Sequence, residues 1–277
     1  MKNTKELQVI NFSVLNDPIR NSTISMVELL KHRGSDRRLF FFHLQGFIES
    51  SLQTYDAICD LVSSDRKHKY PAQATFLVRS IIDVFFSVVY MLDDLQLRSR
   101  QFELAGYHKK LKQFNLLKIN YGNLPEWKDH LNEFARMLNH DVEVLKITDY
   151  EKNDKSINWP IPGRILRQFR LKESYDFLKE IYTQHYSFYS EGSHVSWGGM
   201  AMVVFSKTPD AEKLIPGKFE SDAVVRALEF ILMTLSEIQG RIDLGLKRDL
   251  QYSWGLFIKF WDEAAQYFSY RYNRLLE

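Results

Sequence analysis

Five residues of this chain have the types and spacing that chemistry on an anionic group would use. Arg79 and Asp83 stand four apart in an otherwise apolar run, Leu77-Val78-Arg79-Ser80-Ile81-Ile82-Asp83. Residues four apart share a helix face, and Ser87, Tyr90 and Asp94 continue that face. Far along the chain Tyr182, Tyr186, Ser190 and His194 step by four, with Tyr189 and Glu191 among them. An arginine offers a planar fork of donors that can neutralise phosphate charge, and a histidine moves protons near neutral pH. Arg79 has more donors than Asp83 has acceptors, so further acceptors must come from elsewhere. The expectation is therefore that Arg79 and Asp83 are mostly buried and hydrogen-bonded, and that Tyr186, Ser190 and His194 pack against them to form one polar cluster. Two uses stand side by side. The pair fixes how helices pack, or it lines a pocket. His194 likewise reads as an acid/base or as a helix-end cap that bonds terminal carbonyls. No G-x-S-x-G elbow supports a serine nucleophile.

Two other patterns carry weaker signals. Helical HD phosphohydrolases use a His-Asp dipeptide with distant His and Asp as metal ligands. His140-Asp141, with His108, His130 and Asp149, could fill those parts. Basic residues gather in two places. Lys109, Lys110 and Lys112 lie with Arg98, Arg100 and Lys118 on one helix, and Arg164, Arg167 and Arg170 recur every third residue. Such patches bind phosphate backbones, or are solvated faces balanced by acids elsewhere.

Helices must position all of these. Leu44, Phe47, Ile48, Leu52, Tyr55 and Ile58 step by three and four, as one helix face does. Pro71 suits a first helical turn, and the helix after it, running to about Asp94, is apolar nearly all round, which marks a central helix. Gly122 and Pro125 punctuate the next two helices, and Glu151 to Gly163 is the best linker candidate. Residues 1–20 show no clear period and read as an N-terminal arm, with a short helix from Ser22 to Lys31 after it. Residues 196–219, with Gly198, Gly199, Pro209, Pro216 and Gly217, read as one long loop, in which Met200 to Phe205 is a candidate short strand. The fold class expected is all-α, a single multi-helix bundle over residues 21–277.

Composition sets the outer limits. Of the 277 residues 45% are hydrophobic, which is enough for a core, and the 12 Gly and 7 Pro are too few for an all-β chain rich in turns. One cysteine, Cys59, excludes an internal disulfide and fits a reducing, cytoplasmic compartment. The N-terminal residues lack a basic start followed by an apolar block, so no secretion signal is expected. The longest uncharged stretch in the most apolar helix, Val84 to Leu92, falls short of the ~20 residues a membrane span needs, so no membrane association is expected. A net charge of +2 leaves the nucleic-acid question to local clusters.

Leu77 to Asp83 with Tyr90, and the later Tyr186-x-x-x-Ser190-x-x-x-His194-x-Ser196, together resemble a bacterial family of unknown function, domain of unknown function fifty-six seventy-seven. The family pattern is an Arg-Ser-x-x-Glu helix followed by Tyr-x-x-x-Ser-x-x-x-His-x-Ser. Asp83 stands where the family usually has Glu, one methylene shorter. The resemblance covers roughly Leu39 to Glu237 and implies a helical bundle whose two motif helices face each other, with no established reaction. The pairing also looks loosely like HEPN-type helical domains, many of them RNA-cleaving toxins of defence systems. Their Arg-polar-x-x-x-His motif has its nearest match in Arg38-Leu39-Phe40-Phe41-Phe42-His43, where Leu39 departs from the polar second position.

Three functions follow as expectations. In the first, the chain is a bacterial cytoplasmic effector of defence or toxin type. It cleaves RNA without a metal or other cofactor, His194 acting as acid/base and Arg79 stabilising phosphate charge. In the second, it is a non-catalytic binding module whose cluster is a structural clasp and whose basic helices contact RNA or another protein. In the third, it is an HD-type metal phosphohydrolase. Homo-oligomers are compatible with all three.

Overall fold

The computed structural model describes residues 12–34, 39–62, 71–193 and 218–277. Every regular element among them is helical, which agrees with the stripes that step by three and four. They are α1 (Phe12–Gly34), α2 (Leu39–Val62), α3 (Pro71–Asp93), α4 (Leu95–Tyr121), α5 (Lys128–Val144), α6 (Asp149–Asn153), α7 (Pro162–Gln168), α8 (Tyr175–Ile181), α9 (Ser187–Ser193), α10 (Lys218–Arg241), α11 (Lys247–Phe260), α12 (Asp262–Tyr267) and α13 (Asn273–Leu275). A 3-10 turn, Pro125–Trp127, precedes α5. Wide π turns join α8 to α9, at Tyr182–Tyr186, and α12 to α13, at Phe268–Tyr272.

Contacts gather these helices into two compact units, Met1–Leu92 with Pro162–Glu277, and Asp93–Ile161. In the larger unit α1 starts at Phe12, inside the segment expected to be an arm, and carries Pro18 within it. Tertiary burial overrides the proline. Leu15, Ile19, Met26 and Leu30 are each at most 1% exposed and form a stripe on α1, which packs on α2, α10 and α11. On α2 the buried residues are Phe41, Leu44, Ile48, Ser51, Tyr55 and Ile58, close to the stripe read from the sequence. Helix α3 is central as expected. Phe85 meets Phe177 of α8 and Phe230 of α10 edge to face at 6.5 and 5.9 Å, and Phe86 meets Tyr182 and Tyr186 at 6.4 and 6.2 Å. The stretch Gln73–Asp93 is by length and composition apolar enough to cross a membrane, yet 61% of that window is buried against the rest of the protein, as in a core helix.

A second central helix, α10, was not legible as one. From Ala223 to Gln239 every residue is buried. Its polar members are satisfied internally. Thr234 donates to the Phe230 carbonyl, Ser236 donates to Leu232 and accepts from the Trp254 indole, and Gln239 accepts from the backbone of Leu244 and Leu246. The helix begins at Lys218, so the last two positions of the expected loop are helical; residues 196–217, with the candidate strand, lie outside the described residues. Trp261, whose backbone is extended (φ −138°, ψ 98°), ends α11 and separates it from α12.

The smaller unit is a hairpin of α4 and α5. Leu104, Tyr107, Leu138 and Ile147 form its core, flanked by Phe114 and Phe134. Asp94 caps α4 by accepting from the Leu97 amide, and Thr148 and Glu151 form a capping box on α6. Arg100 donates to both Glu151 oxygens at 2.9 and 2.8 Å and to the Leu145 carbonyl at 2.7 Å, tying α4 to the end of the hairpin.

Candidate functional site

Arg79 and Asp83 lie on α3, two turns and one turn before Phe86. The π turn at Tyr182–Tyr186 brings Tyr186 to them. A π turn inserts one extra residue into the helical repeat and redirects the side chains beyond it; such turns recur at functional sites. Here the Ser187 amide reaches back to the Tyr182 carbonyl, five residues away. Tyr182 and Tyr186 stack at 5.2 Å with planes 21° apart, and Phe86 of α3 closes their side. Next to them, His185 and Tyr189 face α10 and α12.

Three of the five residues read from the sequence are thereby joined. Arg79 Nη2 donates to the Tyr186 hydroxyl at 3.3 Å, and its guanidinium lies 5.5 Å from the centre of that ring. Its Nε sits 3.8 Å from Asp83 Oδ2. That is an ion-pair distance and too long for a hydrogen bond, as the short aspartate arm explains. Burial pushes the Asp83 carboxyl up, against the pull of Arg79 and of the Tyr186 hydroxyl; burial also raises the Tyr186 phenol. Ser190, half-buried, follows Tyr186 by one turn on α9. His194, like Ser196, lies outside the described residues.

One expectation is corrected. The Arg79–Asp83 pair is part-buried rather than sealed, its side chains 23% and 42% exposed, and the two do not hydrogen-bond each other. It sits where α3 meets solvent, so its contribution to stability is roughly 0–1 kcal/mol rather than the several a sealed pair would carry. The sealed pairs are elsewhere. Arg226 donates to Glu229 at 2.8 Å, with side chains 9% and 0% exposed, and Arg271 and Tyr272 both donate to Glu237, which is 1% exposed. A charged residue within the apolar run Val224 to Ile238 was the available signal. His185 was also missed. It is 6% exposed, bonds the Tyr267 hydroxyl at 2.6 Å, and is driven down to about 3 by burial first and by the Arg226 charge second.

The other candidates fall apart or stand alone. The HD reading is not supported by geometry. Asp141 is held by Lys110 at 2.8 Å, His108 bonds the Glu151 carbonyl at 2.9 Å, and His130 packs on Trp127. Among the described residues no group of His, Cys, Asp and Glu is placed to hold a metal. Lys109 and Lys112 are exposed on α4, whereas Lys110 is neutralised by Asp141. Arg164, Arg167 and Arg170 are all exposed, on α7 and the turn after it. Of the HEPN-type match, Arg38 lies outside the described residues and His43 is half-buried on α2.

One family model takes in both motif helices. It matches residues 41–212, and the chain belongs to that family, Family of unknown function (DUF5677). No curated protein and no solved structure matches the chain.

Proposed function

We propose that the Arg79–Asp83–Tyr186 cluster, completed by Ser190 and His194, is a phosphodiester site and that the chain is a metal-independent ribonuclease. The observation that carries this reading is the junction itself. Residues 107 positions apart bring a guanidinium, a phenol and a carboxyl with raised affinity for protons to one half-exposed place. A clasp with no other duty needs no solvent-facing carboxyl.

In this reading Arg79 binds the non-bridging oxygens of one phosphate. The 2′-hydroxyl of the preceding ribose attacks phosphorus as a base removes its proton, the bond to the 5′-oxygen breaks, and an acid protonates that leaving oxygen. A 2′,3′-cyclic phosphate and a free 5′-hydroxyl result, with no metal and no water consumed. His194 and Asp83 are the proton-transferring groups, and Tyr186 orients Arg79. The setting would be a bacterial cytoplasm, where such an activity restricts growth.

The test uses purified full chain, end-labelled single-stranded RNA and a chelator in the buffer. Cleavage leaving cyclic-phosphate ends is expected, with Arg79→Ala and His194→Ala each about 10²–10⁴-fold slower. Expression should arrest bacterial growth in the wild type and not in His194→Ala. Wild type inert on RNA, with Tyr186→Phe and Arg79→Ala losing only thermal stability, would make the cluster a clasp.

A further inference from the structure

The arginines of α7 and the cluster on α3 are linked by a continuous path of contacts. Helix α7 has seven residues. Pro162 and Ile165 are buried beneath it, and Phe169 just beyond it is 4% exposed. These three anchors leave Arg164, Arg167 and Arg170 on the outer side, and all three are exposed. No carboxylate pairs with them among the described residues, although Arg167 Nε donates to the Gly163 carbonyl at 3.2 Å. From Lys155 to Lys172 the sequence contains no acidic residue. The fully exposed Leu171 and Lys172, which lies 5.1 Å over the Phe169 ring, close the far end.

The near end of this ridge abuts the π turn. A methyl group at Gly163 would sit 3.0 Å from the Tyr182 hydroxyl, so that hydroxyl rests against the backbone beside Arg164. Tyr182 stacks on Tyr186, and Tyr186 accepts from Arg79. The path is thus Arg164, Gly163, Tyr182, Tyr186, Arg79, within one compact unit. The lysines of α4 belong to the other unit.

We infer that the α7 ridge, Arg164, Arg167 and Arg170, is the binding track for single-stranded RNA that feeds the Arg79 cluster. It takes successive backbone phosphates on one side of the scissile bond. The inference rests on the reading of that cluster as an RNA site and adds where the strand runs. Two arginines on a helix of about 10 Å and a third in the turn after it match a few consecutive phosphates of a flexible strand. Shape-directed binding of duplex RNA spans about 16 base pairs and needs a far longer surface. Backbone charge contacts of this kind are sequence-tolerant.

Anisotropy of a labelled twelve-nucleotide single-stranded RNA, titrated with full chain at several salt concentrations, tests this. The Arg164→Gln/Arg167→Gln/Arg170→Gln variant should bind at least tenfold more weakly. The slope of log affinity against log salt should fall by about two, since each phosphate contact on a single strand contributes about 0.7. Lys109→Gln/Lys112→Gln should stay within twofold of wild type. Circular dichroism checks that the exposed substitutions leave the fold intact. Equal binding by the triple-arginine variant, or no RNA binding by the wild type, overturns the track. So does arginine-dependent binding to phosphatidylserine vesicles in place of RNA. Cleavage is scored in the same samples. Arginine-dependent binding without cleavage keeps the track and sinks the nuclease; cleavage that ignores the arginines does the reverse.

Discussion

Tyr186 does two jobs through one side chain. Its ring face holds the Arg79 guanidinium, and its hydroxyl accepts from the same group. At the residue just before it the polar pattern serves stability instead. His185 is buried against Phe230 and Tyr267. Its folded form stays neutral down to about 3, whereas an unfolded chain takes up a proton below the ordinary histidine value of 6.5. Stability from this residue is therefore complete above pH 6.5 and is lost as pH falls toward 3. At ~1.36 kcal/mol per unit the loss is on the order of 5 kcal/mol. Urea melts between pH 7 and 4 should show a steep acid decline in wild type and a flatter one in His185→Phe. Parallel curves would mean that another group controls the acid limb. The residue has no role in the proposed chemistry, because it cannot exchange protons near neutral pH.

At the scale of elements, α10 decides the core. It is as long as α3 but carries more polar residues, which disguise it. Each is matched by a neighbour, and the last turns are closely fitted. A methyl group on Gly240 would overlap Leu275 Cγ of α13, so only a glycine lets the C-terminal segment lie this close. Glu237 holds that segment electrostatically as well, through Arg271 and Tyr272. Removing it leaves the Arg271 guanidinium, 16% exposed, without its counter-ion. Glu237→Ala should destabilise by roughly 3–5 kcal/mol in denaturant melts. A change under 1 kcal/mol would show the C-terminal helices to be dispensable for the core. Replacing both partners, Glu237→Leu with Arg271→Leu, should recover much of the loss, because the cost lies in the orphaned charge.

At the scale of the molecule, the smaller unit is one unbroken segment between two halves of the larger one. Its core residues contact one another, and its polar ties close on themselves around Arg100, which holds Glu103, Glu151 and two backbone carbonyls. Hydrogen bonding to Arg100 is the main reason the Glu151 carboxyl sits at about 2. Arg100→Ala should therefore speed amide exchange across residues 93–161 and leave α3 and α10 as protected as before. Hydrogen–deuterium exchange with mass spectrometry measures this. Equal acceleration through both units would make them a single cooperative body.

Much of this was written in local pattern. The all-α class, the stripe of α2, the start of α3 at Pro71 and the breaks at Gly122 and Pro125 follow from periodicity and from residues whose backbone preferences act locally. So does the suggestion that Arg79, Asp83 and Tyr186 belong together, since their spacing puts each on one face of its helix. What folding alone decided depends on partners distant in sequence. Pro18 lies inside a helix because Leu15 and Ile19 are covered by other helices. Glu237 is buried because Arg271, 34 residues on, comes to meet it. Asp83 is 42% exposed, whereas Phe85 two residues on is sealed against Phe177 and Phe230. The π turn, which sends Tyr186 toward α3 and His185 toward α10, leaves no mark in the spacing of the tyrosines. A step of four reads the same whether or not the helix has gained a residue nearby, so only contacts across the core could select it.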